Sequence, residues 1–379
     1  MASILLLACC GQAPVDRAEP VVSTTVVLPA ATTTTNPVPS TTTGSSIVST
    51  APTVPASTSA VPIPDAVLGK RVSFAAMRGE TLEVWGADGK VLDVAVCTDG
   101  ACFVQSVAAS ATDVYVFTYA APPTTVEQQI KVRRWPLSGA PESTLYSATG
   151  VQGGNLSVAG NGDLVWLEFP STGFGTGVVR RLSPGGVATE IVDDVSSFAA
   201  ARRATTLAVL KRGGDVVTPA PSLWTFDLAT GVETRVTQDR NYADGLQVAN
   251  DGSAVMYRDG LTGAIIVHPT TGAKETRLPG YVGCFAGNTP ITSERIGENE
   301  TAIYRGAGRQ VVTSIGVGPV CRADGAIALL APARTSVPVT SDPNVMFCSV
   351  GEPEGDLTVV RADGTTTRLG AGYHRLFQL

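Results

Sequence analysis

The chain has 379 residues, of which 44% are hydrophobic and 16% are charged, and it contains 40 glycines and 25 prolines. Few charges and many turn formers favour short strands joined by turns over long helices. The formal net charge of -6 provides no basic surface, so we do not expect nucleic acid as a partner. His268 and His374 are the only histidines, which nearly excludes mechanisms that need a histidine pair. No apolar run of about 18 residues follows the N-terminus, so the sequence predicts no transmembrane helix.

The N-terminus carries an apolar run that is followed by two cysteines. Leu6-Leu7-Ala8-Cys9 resembles a bacterial lipobox, the signal after which a cysteine is diacylated and becomes the new N-terminus. The resemblance implies that residues 1–9 are a signal remnant and that lipidated Cys9 anchors the chain in the cell membrane, facing the extracytoplasmic side. No Lys or Arg precedes the run, which is shorter than the usual apolar region of about 7–15 residues, so we expect the true start upstream. The alternatives are a chance apolar N-terminus and lipidation of Cys10.

Mass spectrometry of the N-terminal peptide from native cells tests this hypothesis. We expect a diacylated peptide that begins at Cys9. An unmodified peptide that begins at Met1 would contradict lipid anchoring.

Residues 10–65 are predicted to form a disordered linker rich in Thr, Ser and Pro. No charged residue occurs between Pro20 and Pro64, and aromatic residues are absent there. Such a segment cannot bury enough apolar surface to offset the entropy of ordering it. Its prolines favour extended geometry at about 3.1 Å per residue, so the segment reaches on the order of 100 Å. The functional interpretation is a spacer that lifts a domain off the membrane, and the alternative is a linker of no selected length.

A strand–turn–strand unit recurs over residues 66–379, which we predict to be the folded domain. Asp-Gly and Thr-Gly pairs at the turns allow the positive φ that tight hairpins need. The turn glycines are Gly89, Gly139, Gly186, Gly231, Gly272, Gly308 and Gly364. They lie 36 to 56 residues apart, and further strand pairs precede several of them. Four strands at a period of roughly 40–50 residues indicate the blades of a β-propeller.

The turn sequences also resemble those of a known family. Asp-Leu-Ala-Thr-Gly at residues 227–231 and Asn-Asp-Gly at residues 250–252 resemble turns of the TolB-like and WD40-like propellers of bacterial envelope proteins. The resemblance implies an all-β propeller. Our interpretation of its function is a binding or scaffolding module. The seven units predict seven blades, and the alternative is six blades with the weak sixth unit as an insertion.

The two ends of the domain are predicted to meet in one blade. Residues 71–77 enter as a second strand, so the first unit lacks an inner strand of its own. Residues 373–379 at the C-terminus supply that strand in our interpretation. Closing one blade with strands from both ends ties a ring shut.

Seven cysteines in an extracytoplasmic protein should mostly form disulfides. Cys97 and Cys102 flank an Asp-Gly turn, which suits a local disulfide. Among the remaining cysteines we favour Cys321 with Cys348 within the last blade, although Cys284 and Cys321 occupy similar places in successive units. The alternatives are three buried thiols or a metal site, for which the spacing offers no support.

No catalytic or cofactor motif occurs in the sequence, so we predict no catalytic residue, no cofactor and no metal ligand. The nucleophile elbow, the zinc-protease helix and the phosphate-binding loop are all absent. The glycine-rich stretch 173–177 precedes no helix and is interpreted as a loop. We interpret the remaining candidates as structural or solvated; they are His268, His374, Asp193, Asp194, Glu294, Glu298, Glu300, Trp85, Trp135, Trp166 and Trp224.

Long connections between second and third strands give the clearest functional hint. They span residues 120–129, 170–176, 212–222 and 331–344, and in propellers such connections emerge on one rim. Long loops on one face of a rigid scaffold commonly carry binding. We therefore expect an envelope protein or glycan to bind this rim. The alternative is a glycan-processing hydrolase or lyase with its site in the propeller channel, so whether the chain is an enzyme stays open.

Overall fold

The computed structural model describes residues 72–97, 102–120, 128–170, 176–212, 221–237, 243–259, 263–269, 276–297, 300–312, 317–322, 325–332 and 355–379. Within these ranges the chain forms 27 β-strands and no α-helix. The predicted all-β class is therefore confirmed. None of the described residues belongs to a helix with the length and apolarity that a membrane crossing needs.

The described strands form five four-stranded sheets and one seven-stranded sheet, all with antiparallel pairing. The first sheet contains, in spatial order, β27 (Arg375–Gln378), β1 (Phe74–Arg78), β2 (Thr81–Trp85) and β3 (Lys90–Ala95). The second contains β4 (Cys102–Ala109), β5 (Asp113–Ala120), β6 (Gln129–Pro136) and β7 (Ser143–Thr149). The seven-stranded sheet contains β8 (Val151–Val158), β9 (Leu164–Pro170), β10 (Gly177–Leu182), β11 (Thr189–Ala200), β12 (Thr206–Lys211), β13 (Ser222–Asp227) and β14 (Glu233–Arg235).

Three four-stranded sheets complete the chain. They contain β15 (Ala243–Val248), β16 (Val255–Asp259), β17 (Ala264–Val267) and β18 (Thr276–Leu278); then β19 (Tyr281–Ala286), β20 (Thr289–Arg295), β21 (Thr301–Arg305) and β22 (Gly308–Val312); and finally β23 (Val317–Cys321), β24 (Ile327–Pro332), β25 (Gly355–Val360) and β26 (Thr366–Tyr373). In the first sheet, the inner position is taken by β27. The other sheets follow the predicted order of inner strand, second strand, third strand and outer strand along the chain.

Strand β11 serves two successive units of the seven-stranded sheet. Its first half pairs with β10 as an outer strand, and its second half pairs with β12 as an inner strand. Val195 is the point of exchange, because it pairs with Gly177 of β10 and with Lys211 of β12. Elsewhere in the described chain, a new sheet begins with a new strand.

The inner strands surround a common axis. The inner strands are β27, β4, β8, the second half of β11, β15, β19 and β23. Each contacts the next in this order, and β23 contacts β27 again, so the contacts form a closed cycle. Apolar side chains fill the spaces between neighbouring sheets, because each sheet is apolar on both faces. For example, Val84, Val116 and Trp135 share one core cluster between the first two sheets. The propeller arrangement is thus confirmed.

The C-terminal strand closes the ring as the sequence predicted. β27 pairs with β1 in a register that runs from Phe74 opposite Gln378 to Met77 opposite Arg375. The side chain of Gln378 extends the closure to the last sheet. Its Nε2 donates to the carbonyl oxygen of Cys321 (3.0 Å), and the Cys321 amide donates to its Oε1 (2.8 Å).

The disulfides differ in part from the prediction. The Cys97–Cys102 disulfide is present. The predicted partner of Cys321 was wrong, because Cys321 is bonded to Cys284. Both residues lie on inner strands, β23 and β19, which contact each other, so the bond joins neighbouring sheets. Cys348 lies outside the described residues.

A buried carboxylate joins the first and last sheets near the closure. Glu83 is fully buried and accepts a hydrogen bond from the Tyr373 hydroxyl (2.6 Å). Arg78 and Lys90 form ion pairs with the same carboxylate at 2.6 Å and 3.3 Å. Burial, followed by the hydrogen bond to Glu83, raises the pKa of Tyr373, which keeps the hydroxyl available as a donor. The closure therefore combines strand pairing with a charge-assisted contact.

A similar contact joins the second sheet to the seven-stranded sheet. Glu168 of β9 accepts from Trp166 Nε1 and from Arg180 Nε, both at 2.9 Å. Tyr146 of β7 packs its ring against Trp166, with centroids 4.9 Å apart. Burial, and then the hydrogen bond with Glu168, raises the pKa of Tyr146 to about 12. In both contacts, a tyrosine on an outer strand contacts a buried glutamate, and the glutamate belongs to the next sheet around the ring.

Replacing the buried carboxylate tests the closure contact. We expect Glu83→Ala to lower the free energy of unfolding by about 1.5–3 kcal/mol, because the buried Tyr373 hydroxyl loses a charged acceptor. Chemical denaturation measures the change. The matched control is Glu80→Ala, since Glu80 is an exposed glutamate three residues away. Equal stability of the two variants would show that the contact adds nothing to closure.

Candidate functional site at the channel mouth

The propeller has two rims that differ in their connections. The inner strands begin beside the ends of the second strands: Cys102 pairs with Ala120, and Val151 pairs with Pro170. The chain between second and third strands leaves from this side, which we call the long-loop rim. Most of the length of the four predicted connections lies outside the described residues; the parts outside are residues 121–127, 171–175, 213–220 and 333–344. We call the opposite side, where inner strands end, the short-turn rim.

Backbone hydrogen bonds link neighbouring turns on the short-turn rim. The Gly160 amide donates to the Ala201 carbonyl (3.1 Å), and the Arg203 amide donates to the Asn250 carbonyl (2.8 Å). Asn288 then donates through its side chain to Asp251 (2.6 Å). The first of these hydrogen bonds therefore links two successive units of the seven-stranded sheet, and the other two link adjacent sheets.

The carboxylates of this rim also support the turns. Burial raises the pKa of Asp227, but hydrogen bonds from Thr205, Ala229 and Thr230 outweigh it and lower that pKa overall. The Asp-Leu-Ala-Thr-Gly pattern, on which the family resemblance rested, is thus a turn device of the short-turn rim.

The channel wall is shaped by β-bulges. In the described chain, the six inner strands β4, β8, β11, β15, β19 and β23 each carry one extra residue relative to the second strand. β27 pairs with β1 without a bulge. A bulge leaves one residue out of the ladder and redirects its side chain. The bulge residues of β4, β8 and β11 are Gln105, Asn155 and Ser196, and all three are exposed.

Hydrogen bonds between inner strands hold these bulges in place. The Leu156 amide donates to the Ser106 hydroxyl (2.7 Å), which sets β8 beside β4. Asn155 donates to the Phe198 carbonyl at 3.5 Å and so reaches β11. On the other side of β4, Arg375 of β27 donates to the Val104 carbonyl (2.7 Å). Hydrogen bonds from neighbouring inner strands therefore fix the backbone that carries the polar side chains of the channel wall.

An aromatic pair lies at the long-loop rim where β4 begins. Phe103 is 63% exposed although it belongs to an inner strand. It pairs in register with Tyr119 of β5, and the two ring centroids are 6.4 Å apart with a tilt of 36°. On the adjacent strand β8, a Cβ added to Gly154 would meet no atom within 4 Å, so space beside the strand is open. Phe103, Tyr119, Gln105, Gly154, Asn155 and Ser196 form what we call the mouth sector.

The described histidines and acidic residues that the sequence analysis considered do not form one cluster, and Glu298 lies outside the described residues. His268 places Nδ1 3.2 Å from the Ser253 carbonyl oxygen, at the short-turn rim. The backbone amide of His374 donates to the Met77 carbonyl (3.0 Å), at the closure. Glu294 accepts from the Tyr304 hydroxyl (3.0 Å) within one sheet. The described residues contain no group of three His, Cys, Asp or Glu placed to hold a metal ion.

Three of the four tryptophans pack inside the propeller, in agreement with their interpretation as core residues. Trp85 stacks on Phe74 with centroids 6.3 Å apart, and Trp135 and Trp166 are buried. The half-buried Trp224 has Lys211 Nζ 5.6 Å and the Arg235 guanidinium 5.8 Å from its ring centroid. Cys9, the predicted lipidation site, lies outside the described residues.

The mouth sector was missed by the sequence analysis. Phe103 follows Cys102 directly, so the only available signal was an aromatic residue beside a predicted disulfide. Gln105 and Asn155 carried no signal, because one extra residue in a strand is invisible without knowledge of its partner.

Comparison with known proteins supports the fold. No protein-family model and no curated protein matches the chain. Among solved structures, the β-propeller domain of the Trilobed protease from Pyrococcus furiosus matches with 10% identity and a TM-score of 0.51, over 71% of this chain and 83% of that one. An oligogalacturonate lyase in complex with manganese matches with 12% identity and a TM-score of 0.52, over 79% of this chain and 84% of that one.

TolB structures are also among the matches. TolB from Acinetobacter baumannii is 15% identical, with a TM-score of 0.44 and coverage of 64% of this chain. The match spans 63% of the TolB chain. The expected β-propeller fold is confirmed by the two matches with TM-scores of 0.51 and 0.52, and at these identities the likenesses concern the fold alone.

Proposed function

We propose that the protein is a lipid-anchored, extracytoplasmic propeller of seven blades that binds a protein or glycan of the cell envelope at its long-loop rim. The blade number follows from counting β11 twice, once as the outer strand of the third blade and once as the inner strand of the fourth. The contact cycle of seven inner strands supports this count.

The disulfides support a location outside the cytoplasm. Disulfides persist in oxidising compartments, and the Cys284–Cys321 bond joins two neighbouring inner strands rather than a flexible loop. The lipobox-like sequence at Leu6–Cys9 and the long uncharged linker agree with such a location. A membrane anchor at Cys9 and a spacer then present the propeller at a distance from the lipid surface.

The contrast between the two rims supports a binding role and carries the proposal. The short-turn rim is linked by hydrogen bonds between neighbouring turns, and its aspartates serve those turns. The long-loop rim combines long connections with a polar channel mouth and an exposed aromatic side chain. Binding residues are commonly carried by loops on a rigid scaffold, and this rim has both elements.

No specific observation among the described residues favours the second candidate, a glycan-processing hydrolase or lyase. The buried carboxylates Glu83, Asp163 and Glu168 are each engaged in ion pairs with arginine. These contacts support a structural role for them.

Shortening the loops tests the proposed binding face. We expect replacement of residues 213–220 and 333–354 by two-residue Asn-Gly turns to abolish capture of the partner from envelope extracts, while the melting temperature stays within a few degrees. Quantitative pull-down with the full chain measures capture. A control with Val187→Ser and Val232→Ser alters exposed residues of the short-turn rim and should capture normally. Undiminished capture by the loop-shortened chain would refute the assignment of the binding face.

A further inference from the structure

We propose that the mouth sector is a carbohydrate-binding site for an uncharged oligosaccharide segment. The proposal rests on the proposed function, because it names the ligand class for the long-loop rim. It assigns the stacking surface to Phe103 with Tyr119 and the hydrogen-bonding groups to Gln105, Asn155 and Ser196.

The aromatic pair provides the apolar part of the site. A pyranose ring has one face of C–H groups, and an exposed aromatic ring in contact with that face buries apolar area on both partners. Phe103 is more than half exposed, yet its ring is oriented by Tyr119 at 6.4 Å. This contact restricts the ring before the ligand arrives, which reduces the side-chain entropy lost on binding.

The bulge residues provide the polar part. Amide and hydroxyl groups both donate and accept hydrogen bonds, which matches the dual character of sugar hydroxyls. Gln105 is exposed, and its backbone carbonyl accepts a hydrogen bond from the Arg375 guanidinium at 3.4 Å. Asn155 uses Nδ2 toward Phe198, which leaves its amide oxygen as an acceptor. A hydrogen bond between Leu156 and Ser106 joins β8 to β4. Gln105 and Asn155 each directly precede one of these two residues, so their side-chain amides lie on adjacent strands.

The charges near the sector select against acidic polysaccharides. Asp193 and Asp194 are exposed at the end of the outer half of β11, just before Val195. The guanidinium of Arg375 already donates to the carbonyls of Val104 and Gln105 and lies over the ring of Phe377. A uronic acid chain would meet carboxylates and a cation that is already engaged. An uncharged hexose or N-acetylhexosamine chain meets no such penalty.

Space for a chain comes from the neighbouring strand. Gly153 has no room for a side chain, because a Cβ there would lie 2.0 Å from Phe117 Cζ. Gly154 faces open space, so β8 presents bare backbone on the strand next to β4. A pyranose ring can approach this backbone more closely than it could approach a residue with a side chain.

Titration of the full-length protein with defined oligosaccharides tests the site. The probes are cellotetraose, mannotetraose and the tetramer of N-acetylglucosamine, with tetragalacturonate as the acidic comparison. Calorimetry or ligand-observed NMR should show binding of at least one uncharged probe and none of tetragalacturonate. Phe103→Ala should weaken that binding about tenfold, and Gln105→Ala about threefold to fivefold, while Phe103→Trp should retain it.

Controls separate this proposal from the proposed function. Val311→Ala, which removes an exposed side chain of the outer strand β22, should bind as the unchanged protein does. Absence of binding by every uncharged probe, or equal binding by Phe103→Ala and the unchanged protein, would overturn the carbohydrate site. If loop shortening still abolishes capture of a protein in that case, the rim assignment stands and its ligand is a protein. If loop shortening leaves capture intact, the proposed function fails independently of the sugar titration.

Discussion

Every sheet needs a neighbour on each of its two apolar faces, and the structure depends on this requirement. Each sheet presents apolar side chains on both faces, and an open stack would leave two such faces in water. The ring removes these end faces, and the cost is that the first and last sheets must be joined. Strand β27 meets that requirement by pairing with β1, and Gln378 then binds both the amide and the carbonyl of Cys321 on the neighbouring inner strand. The hydrogen bond from Tyr373 to Glu83 closes the same junction further from the axis.

Because of the same constraint, the contacts that stabilise the ring lie apart from the rim that we propose for binding. Contacts between sheets are made by core side chains, by the linked short turns and by side-chain bonds between inner strands. The bulges interrupt pairing at the channel wall without loosening it, because Ser106, Asn155 and Arg375 each bridge to an adjacent inner strand. The long-loop rim is therefore left to vary in length and chemistry while the ring stays intact. This division explains how a recognisable repeat and the inconspicuous surface that we propose for binding occur in one chain.

Much of the fold could be predicted from the sequence because its signals are local. Turn glycines such as Gly231 and Gly364 mark real hairpins, and both have the positive φ that such turns need. The closing strand was predictable as well, since the first unit lacked an inner strand and the C-terminus supplied one. The partner of Cys321 was not predictable, because it depends on which inner strands are neighbours in the ring. The contact of Glu83 with Tyr373, 290 residues away in the chain, and the bulges at Gln105 and Asn155 are likewise set by packing rather than by local sequence.

The most direct test of this account is the thermal unfolding of the chain without residues 375–379, compared with a chain that lacks residues 1–65. The account predicts that loss of β27 lowers the melting temperature of the whole propeller by well over 10 °C or prevents folding, because two apolar faces become exposed. Removal of residues 1–65 should leave the transition unchanged. An unchanged melting temperature after loss of β27 would contradict a ring that depends on its closure.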